Sequence, residues 1–415
     1  MITPSPKKNP DRRSPAPTSP PAGRSRAALG LMAAAAEGRF ALQRCAACHC
    51  LQYPARDACS HCLSVELAWV EVAAEGVVLA ETVVRVSNLP YFRERPPARV
   101  GSVQLDAGPV IVALLHAAVP RLGRVRLLNR LDRSGQAILF AVPEQGVVDM
   151  DADPQLRELS ATPRHRRVLI TDARSPNALA LAGEMLKAGA AQVFLGLSEP
   201  WRPNPNAAVL ADLANVTVLP LDLTDTNSVR DLAAQIGGKT DILINNARFL
   251  RPGGALDRGD TGFARDEIEV NYLGLLRLAQ AFGPAMCART DDGVNSAVAW
   301  VNLLSVQAYA STTDFGCFSA SQAAALALSE SMRGEFRAFG MRVINVFTGP
   351  TDDDWHRETP QPKVSAQALA KSVVQGLNDG LEDVFCGEVA RDLIARHRDN
   401  AKVLEREMTN ARGQS

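Results

Sequence analysis

Hydrophobic and polar positions divide the chain into segments of different character. Residues 1–28 are rich in proline, serine and basic side chains, with almost nothing to bury. Such a segment cannot offset the entropy of ordering, and the pattern predicts a disordered tail. Alanine and leucine from Ala27 to Phe40 then predict a short helix ending near Gly38. Between 67 and 142 come five short runs, "GVVLAETVVRV", "SVQLD", "PVIVALLHAAV", "GRVRLLNRL" and "QAILFAV", bounded by glycine, proline, asparagine or aspartate. Five valine- and leucine-rich runs of this length predict a small closed sheet, a five-stranded Greek-key barrel. A polar stretch reads as a linker over 144–165. From Arg167 the period changes: apolar runs such as "RVLITDA", "QVFLGL", "TDILINNA" and "VAWVNLLSV" alternate with helical segments such as "NALALAGEMLKAGA". That alternation predicts a doubly wound, Rossmann-like parallel sheet. The C-terminal segment reads as two helices flanking a short strand near "EDVFCG", the last helix presenting a solvated, charged face.

The expected organisation is therefore a tail over 1–28, a helix and cysteine-rich segment over 29–66, a barrel over 67–143, a linker over 144–165 and an α/β domain with a helical extension over 166–415. Composition adds exclusions. Lysine plus arginine and aspartate plus glutamate number 45 each, so no global field draws nucleic acid or anionic membrane. The apolar stretch at residues 27–36 is far short of a bilayer span. Of eight cysteines, four form two Cys-x-x-Cys pairs, a pattern for metal in a reducing compartment, and the expectation is a cytoplasmic protein.

Those pairs, Cys45 with Cys48 and Cys59 with Cys62, lie in "CAACHCLQYPARDACSHC". Four thiolates on two knuckles suit tetrahedral Zn²⁺, and a closed four-sulfur site leaves no position for water or substrate, so the zinc is expected to be structural. His49 and Cys50 are read as exposed knuckle residues. Cys287, Cys317 and Cys386 have no base nearby in sequence and are expected to be buried.

The helix, the two knuckles, Leu42-Gln43-Arg44 before the first cysteine, Pro54 between the pairs, Trp69 after them and Gly76 opening the barrel occur in an order that resembles the zinc-ribbon plus OB-fold family accompanying thiolase-superfamily enzymes. The resemblance covers roughly residues 35–143. It implies a non-catalytic subunit that binds a thiolase-like partner and contributes to an acyl-CoA entrance. Eight barrel arginines, among them Arg93, Arg95 and Arg99, are candidates for the phosphates of a CoA thioester, since guanidinium offers planar paired donors. Few aromatics accompany them, and single-stranded nucleic acid ranks lower as a ligand.

Residues 166 to about 350 resemble short-chain dehydrogenases in the order and spacing of their motifs. That family places Thr-Gly-x-x-x-Gly-x-Gly after the first strand; here "TDARSPNA" keeps Thr171 but puts Asp172, Pro176 and Ala178 at the glycines. Asp222 in "LDLTD" and Asn246 in "NNAR" match cofactor-binding positions, although Arg248 replaces the glycine of Asn-Asn-Ala-Gly. Asn271 matches the helix asparagine of a proton relay and Ser305 the catalytic serine, while "FTGPTDDDW" takes the place of the loop that covers nicotinamide. The catalytic tyrosine and lysine become Phe318 and Gln322 in "CFSASQ". Phenylalanine has no ionisable proton and glutamine no charge, so the acid and the group that tunes it are both missing. Tyr309 and Lys371 lie at the wrong spacing to substitute.

The combined expectation is an auxiliary subunit of an acyl-CoA thiolase or retro-aldolase complex. Its dehydrogenase-like half is a pseudoenzyme that uses no NAD(P) and forms homo- or hetero-oligomers, with the small residues of "SASQAAALALSESMRGEFRAF" permitting close helix packing. A CoA thioester would sit at the partner interface. The rival expectation is an NAD(P)-dependent 3-hydroxyacyl-CoA dehydrogenase with altered residues.

Overall fold

The computed structural model describes residues 19–20, 25–93, 95, 97–146, 153–204, 206–289, 297–357 and 359–410. Most of the expected tail, residues 1–18 and 21–24, lies outside them. Pro20 is tethered to the barrel through its carbonyl, which accepts from Ser134 Oγ at 2.7 Å.

Helix α1 (Leu29–Ala36) leads into an antiparallel sheet of β1 (Ala41–Cys45), β2 (Leu51–Gln52) and β3 (Leu67–Glu71), with β1 central. The strand opening at Leu67 thus belongs to the cysteine-rich segment, not to the barrel, because it pairs with β1 from Ala41↔Glu71 to Cys45↔Leu67. Gly30 lets α1 lie on Trp69, whose Cε2 would be 2.1 Å from a Cβ there.

The barrel is closed in the order β4-β5-β6-β8-β7. Its strands are β4 (Glu75–Val84), β5 (Ala98–Leu105), β6 (Val110–Leu115), β7 (Arg124–Leu131) and β8 (Ala137–Pro143), with the short helix α2 (Pro90–Arg93) between β4 and β5. Strand β6 pairs parallel to β8, and β4 closes on β7. Alternation places Val103, Leu105, Ile111, Ala113, Leu115, Val125 and Leu127 inside, together with Leu31 and Ala35 of α1. Ribbon helix and barrel therefore share one core. The expected linker contains α3 (Pro154–Glu158), capped by Asp153 and packed through Leu156 and Leu159 on Leu128, Phe140 and Val142.

Seven parallel strands form the third sheet, ordered β11-β10-β9-β12-β13-β14-β15. They are β9 (Arg167–Ile170), β10 (Gln192–Leu197), β11 (Val216–Pro220), β12 (Ile242–Asn245), β13 (Ala299–Ser305), β14 (Arg342–Thr348) and β15 (Asp383–Cys386). The helices are α4 (Ala178–Lys187), α5 (Ala207–Asp212), α6 (Thr226–Ile236), α7 (Gly262–Ile268), α8 (Gly274–Ala288), α9 (Gly316–Arg337), α10 (Ala366–Asp379) and α11 (Glu388–Asn410). Central strands are apolar on both faces because both are covered. Val168, Ile170, Ile242 and Ile244 face α4 and α10, whereas Leu169, Leu243 and Trp300 face α6, α8 and α9. Helix α11 is less solvated than its charge pattern suggests: Ala390, Leu393 and Leu404 are buried against Val306 and Ala310, just beyond β13.

The two halves interlock. Arg342 of β14 donates to the carbonyls of Leu131 and Glu158 at 2.8 and 3.4 Å, and burial pulls its pKa down to about 10. Arg130 pairs with Asp379 at 2.6 Å, and Glu382 N–H reaches Ala36 O at 2.7 Å. Gly380 ends α10 in the left-handed region (φ 62°), where a Cβ would lie 2.4 Å from Leu159 O. Gly380→Ala should therefore cost more than the ~1–2 kcal/mol of the left-handed backbone alone. Gly183→Ala in α4, with open space around it, should be neutral or stabilising by up to ~1 kcal/mol. Urea unfolding of the two variants checks this contrast.

Candidate functional site

Knuckle geometry builds the metal centre. Cys45 Sγ lies 3.5 Å from Cys62 Sγ and Cys48 Sγ 3.5 Å from Cys59 Sγ, and all four sulfurs fall within 4.8 Å of one another. Four thiols on a tetrahedron around zinc, with bonds of ~2.3 Å, need sulfurs just under 4 Å apart, so the residues fit the ion. Knuckle amides favour the thiolate form. The N–H of Cys48 leads in drawing Cys45 down, and those of Cys62 and His61 lower Cys59, whereas Cys48 and Cys62 end up raised despite the Cys50 and Ser64 amides beside them. Gln43 and Gln52 brace the loop between the pairs: Gln52 Nε2 donates to Gln43 Oε1 at 2.9 Å, and Gln43 Oε1 also accepts from Arg56 N–H.

The turn after β9 stands where the family's glycines would cradle a pyrophosphate, and three of its amides are bonded within the chain. Asp172 N–H donates to Asn246 Oδ1 at 2.8 Å, Ala173 N–H to Gly196 O at 2.7 Å and Arg174 N–H to Asp172 Oδ1 at 2.9 Å. Burial raises the Asp172 carboxyl's pKa against the pull of the Arg174 and Ser175 amides. Arg174 seals the adjoining corner. Its guanidinium donates to the carbonyls of Ser198, Glu199, Arg202 and Pro203, and Asn206 Nδ2 bonds Ala173 O at 3.1 Å. The loop after β10 is thereby tied to the turn.

The two residues assigned to cofactor binding serve local structure here. Asn246 uses every polar side-chain atom on Thr171, Asp172 and Asn177. Asp222 Oδ1 accepts from the Thr224 amide and hydroxyl, at 2.8 and 2.7 Å.

The four catalytic-type positions do converge at the carboxyl ends of β12 and β13. Ser305 ends β13, its N–H donating to Gln322 Oε1 at 2.8 Å and its Oγ accepting from Gln307 N–H at 3.2 Å. Gln322 and Phe318 are 2% and 1% exposed. Asn271, in a π-helical turn between α7 and α8, donates to Ser321 Oγ and Phe249 O, both at 2.8 Å. A glutamine thus braces a strand end where a lysine would hold a ribose, and a phenyl ring fills the tyrosine's place.

A further group was not legible as a unit. Arg248 Nη2 reaches Asp353 Oδ2 at 2.7 Å and Thr351 Oγ1 at 3.2 Å, and His356 Nδ1 lies 2.8 Å from Asp353 Oδ1. Burial would raise the Asp353 carboxyl, but the His356 and Thr351 contacts and the Arg248 charge together hold it far below its ordinary range. This clasp joins β12 to the loop after β14. The glycine-to-arginine change and the aspartates of "TDDDW" were its only signals in the sequence.

On the barrel the arginines are largely committed. Arg99 pairs with Glu81 and donates to the carbonyls of His116 and Val119; Arg95 pairs with Glu158 and stacks 3.4 Å over Tyr91; Arg93 bonds Ser87 O and Asn88 O. Beside them lies a cavity of about 310 Å³ lined by Val84, Val100, Leu114, Ile138, Leu159 and Phe92, with Tyr91, Arg85 and Glu158 among its polar groups. Its character is apolar rather than phosphate-like. Of the three remaining cysteines, Cys287 and Cys386 are buried as expected, but Cys317 is only half-buried.

Comparison with known proteins places three family models along the chain: the ChsH2 rubredoxin-like zinc ribbon domain over 32–68, the ChsH2 C-terminal OB-fold domain over 69–127, and short chain dehydrogenase over 166–363. The short-chain dehydrogenase PC-15 of Penicillium crustosum is 36% identical over 146 residues, 34% of this chain and 50% of that protein. A 1-deoxy-11-beta-hydroxypentalenate dehydrogenase from Streptomyces exfoliatus is 28% identical over 237 residues, 54% of this chain and 84% of its own. The chain spans about half the length of PC-15 and of the similarly matched ptmH of Penicillium ochrochloron. A short chain dehydrogenase from Burkholderia cenocepacia J2315, crystallised with NADP, superposes with a TM-score of 0.54 at 28% identity, covering 60% of this chain and 98% of that one.

The zinc assignment is directly testable. Cys45→Ser or Cys59→Ser should abolish tight zinc retention by the purified chain, measured by elemental analysis. The ribbon should loosen too, since structural zinc contributes ~10–16 kcal/mol in isolated fingers. A variant that keeps both its zinc and its melting point would contradict the site.

Proposed function

We propose that this chain, a ChsH2-type zinc ribbon and OB-fold joined to a short-chain dehydrogenase domain, is a non-catalytic auxiliary subunit of a complex that makes or breaks carbon–carbon bonds in acyl-CoA thioesters. The observation that carries the reading is the pairing of a missing acid–base couple with a sealed turn. Phe318 and Gln322 are packed into the protein, and the amides of Asp172, Ala173 and Arg174 are already bonded. Hydride transfer needs a proton donor at the carbonyl oxygen and a cradle for the dinucleotide; Phe318 has no proton to give, and the turn's amides are bonded inward.

The barrel supports a binding role. Leu79, Val110 and Val112 are 49%, 45% and 55% exposed, and Val86 and Phe92 are exposed near the apolar cavity. Where such residues are contiguous they mark partner or ligand contact, and these are the candidates on the barrel. The partner is a thiolase-superfamily protein carrying the nucleophilic cysteine, and the cavity takes part of the acyl group at their junction. The dehydrogenase-like domain supplies oligomerisation through α9, whose outer face carries Ala320, Ala323 and Ala327.

Affinity purification of the tagged chain from its native cells at low salt should retain a thiolase-fold protein in stoichiometric amount, and Val112→Glu should release it. Elution of the wild-type chain alone would contradict the complex. The dehydrogenase relatives and the retained Ser305 favour the second reading, an active 3-hydroxyacyl-CoA dehydrogenase. These readings part on the wild-type chain, with one variant as a check on the turn. Phe318→Tyr with Gln322→Lys restores the acid–base pair but leaves the turn bonded, so it should remain inactive with NAD(P)H and 3-ketoacyl thioesters. Turnover by the wild-type chain would favour the second reading instead.

A further inference from the structure

A second set of soft ligands lies against the four-cysteine centre. Cys48 Sγ, Cys50 Sγ and a ring nitrogen of His61 are all within 4.8 Å of one another. Cys50 follows the first knuckle and His61 lies inside the second, so the fold that closes one site brings these two together. The knuckle backbone of the first centre fixes their positions. His49 takes a left-handed φ of 61°, Cys45 N–H bonds Cys50 O at 3.0 Å, and His61 N–H points at Cys59 Sγ at 3.4 Å. Cys48 and Cys50 are half-buried and His61 is exposed, so the set faces solvent. Among the described residues neither the Cys50 thiol nor the His61 ring is held by a protein hydrogen bond.

We propose that Cys48, Cys50 and His61 form a second cation site for a thiophilic ion of the Zn²⁺, Cd²⁺ or Cu⁺ class, the Cys48 thiolate bridging it to the metal of the ribbon. Thiolate and imidazole donors select such ions over Mg²⁺ or Ca²⁺. A thiolate bound to one metal keeps lone pairs for a second. Around one ion, bonds of ~2.3 Å to sulfur and ~2.0–2.1 Å to nitrogen set donors somewhat under 4 Å apart, and the three donors here lie within 4.8 Å of one another. Only three protein donors are present, so a coordination position stays open, and the second ion is weaker and more exchangeable than the first. The proposal rests on the four-cysteine centre holding metal, and the experiment separates the two.

The reduced full-length chain is dialysed to equilibrium against Cd²⁺, its metal content is measured by elemental analysis, and ¹¹³Cd NMR reports the donors. The wild type should hold about two ions per chain and show two resonances, one from four sulfurs and one from mixed sulfur and nitrogen. Cys50→Ser with His61→Ala should hold about one and keep only a four-sulfur resonance. A wild type that saturates at one ion, or a double variant that still holds two, overturns the second site while leaving the ribbon intact. Loss of both ions in the double variant overturns it as well, by placing Cys50 or His61 in the first centre. A wild type that holds none overturns both sites.

Discussion

A backbone N–H donates effectively to one partner at a time, and the dehydrogenase-like half of this chain turns on where three such groups point. In the turn after β9 they point inward, to Asn246, to Gly196 O and to the Asp172 carboxylate. Glycines in this turn would let the backbone approach a pyrophosphate, and aspartate brings both a side chain and a charge. The surrounding changes follow the same direction. Arg174 spends its guanidinium on the loop after β10, and Arg248 crosses to Asp353 after β14. Each of these contacts is one that the protein makes with itself.

The other half contributes what a binding module needs. Zinc-bearing knuckles stabilise a loop too small for its own core, and α1 ties the ribbon into the barrel through Leu31 and Ala35. Arg342, Arg130 and Gly380 hold the barrel and α3 against the start of β14 and the end of α10, so the halves are packed on one another rather than joined by a linker alone.

Much of this architecture was legible in the sequence because it rests on local rules. The two Cys-x-x-Cys pairs, the five valine-rich runs and the strand–helix alternation each map onto an observed element with small shifts at the ends. The strand at Leu67 was misplaced because periodicity reports that a strand exists, not which neighbour it pairs with. The docked helix α3 hid in a polar stretch whose two buried leucines, Leu156 and Leu159, gave too short a pattern to register. Charge misled in the barrel. Arg95 and Arg99 looked available for phosphate, but their acidic partners Glu158 and Glu81 lie 63 and 18 residues away in sequence. The clasp of Arg248, Asp353 and His356 could not be read as a unit for the same reason, being assembled from the ends of two strands.

The central claim, that internal contacts have replaced the dinucleotide, is tested most directly by titrating the purified chain with NADPH and NADH and following the coenzyme's fluorescence. The account predicts no saturable change up to millimolar coenzyme. Saturable binding in the micromolar range, released by excess NADP⁺ or NAD⁺, would contradict it and return the α/β domain to the working dehydrogenases.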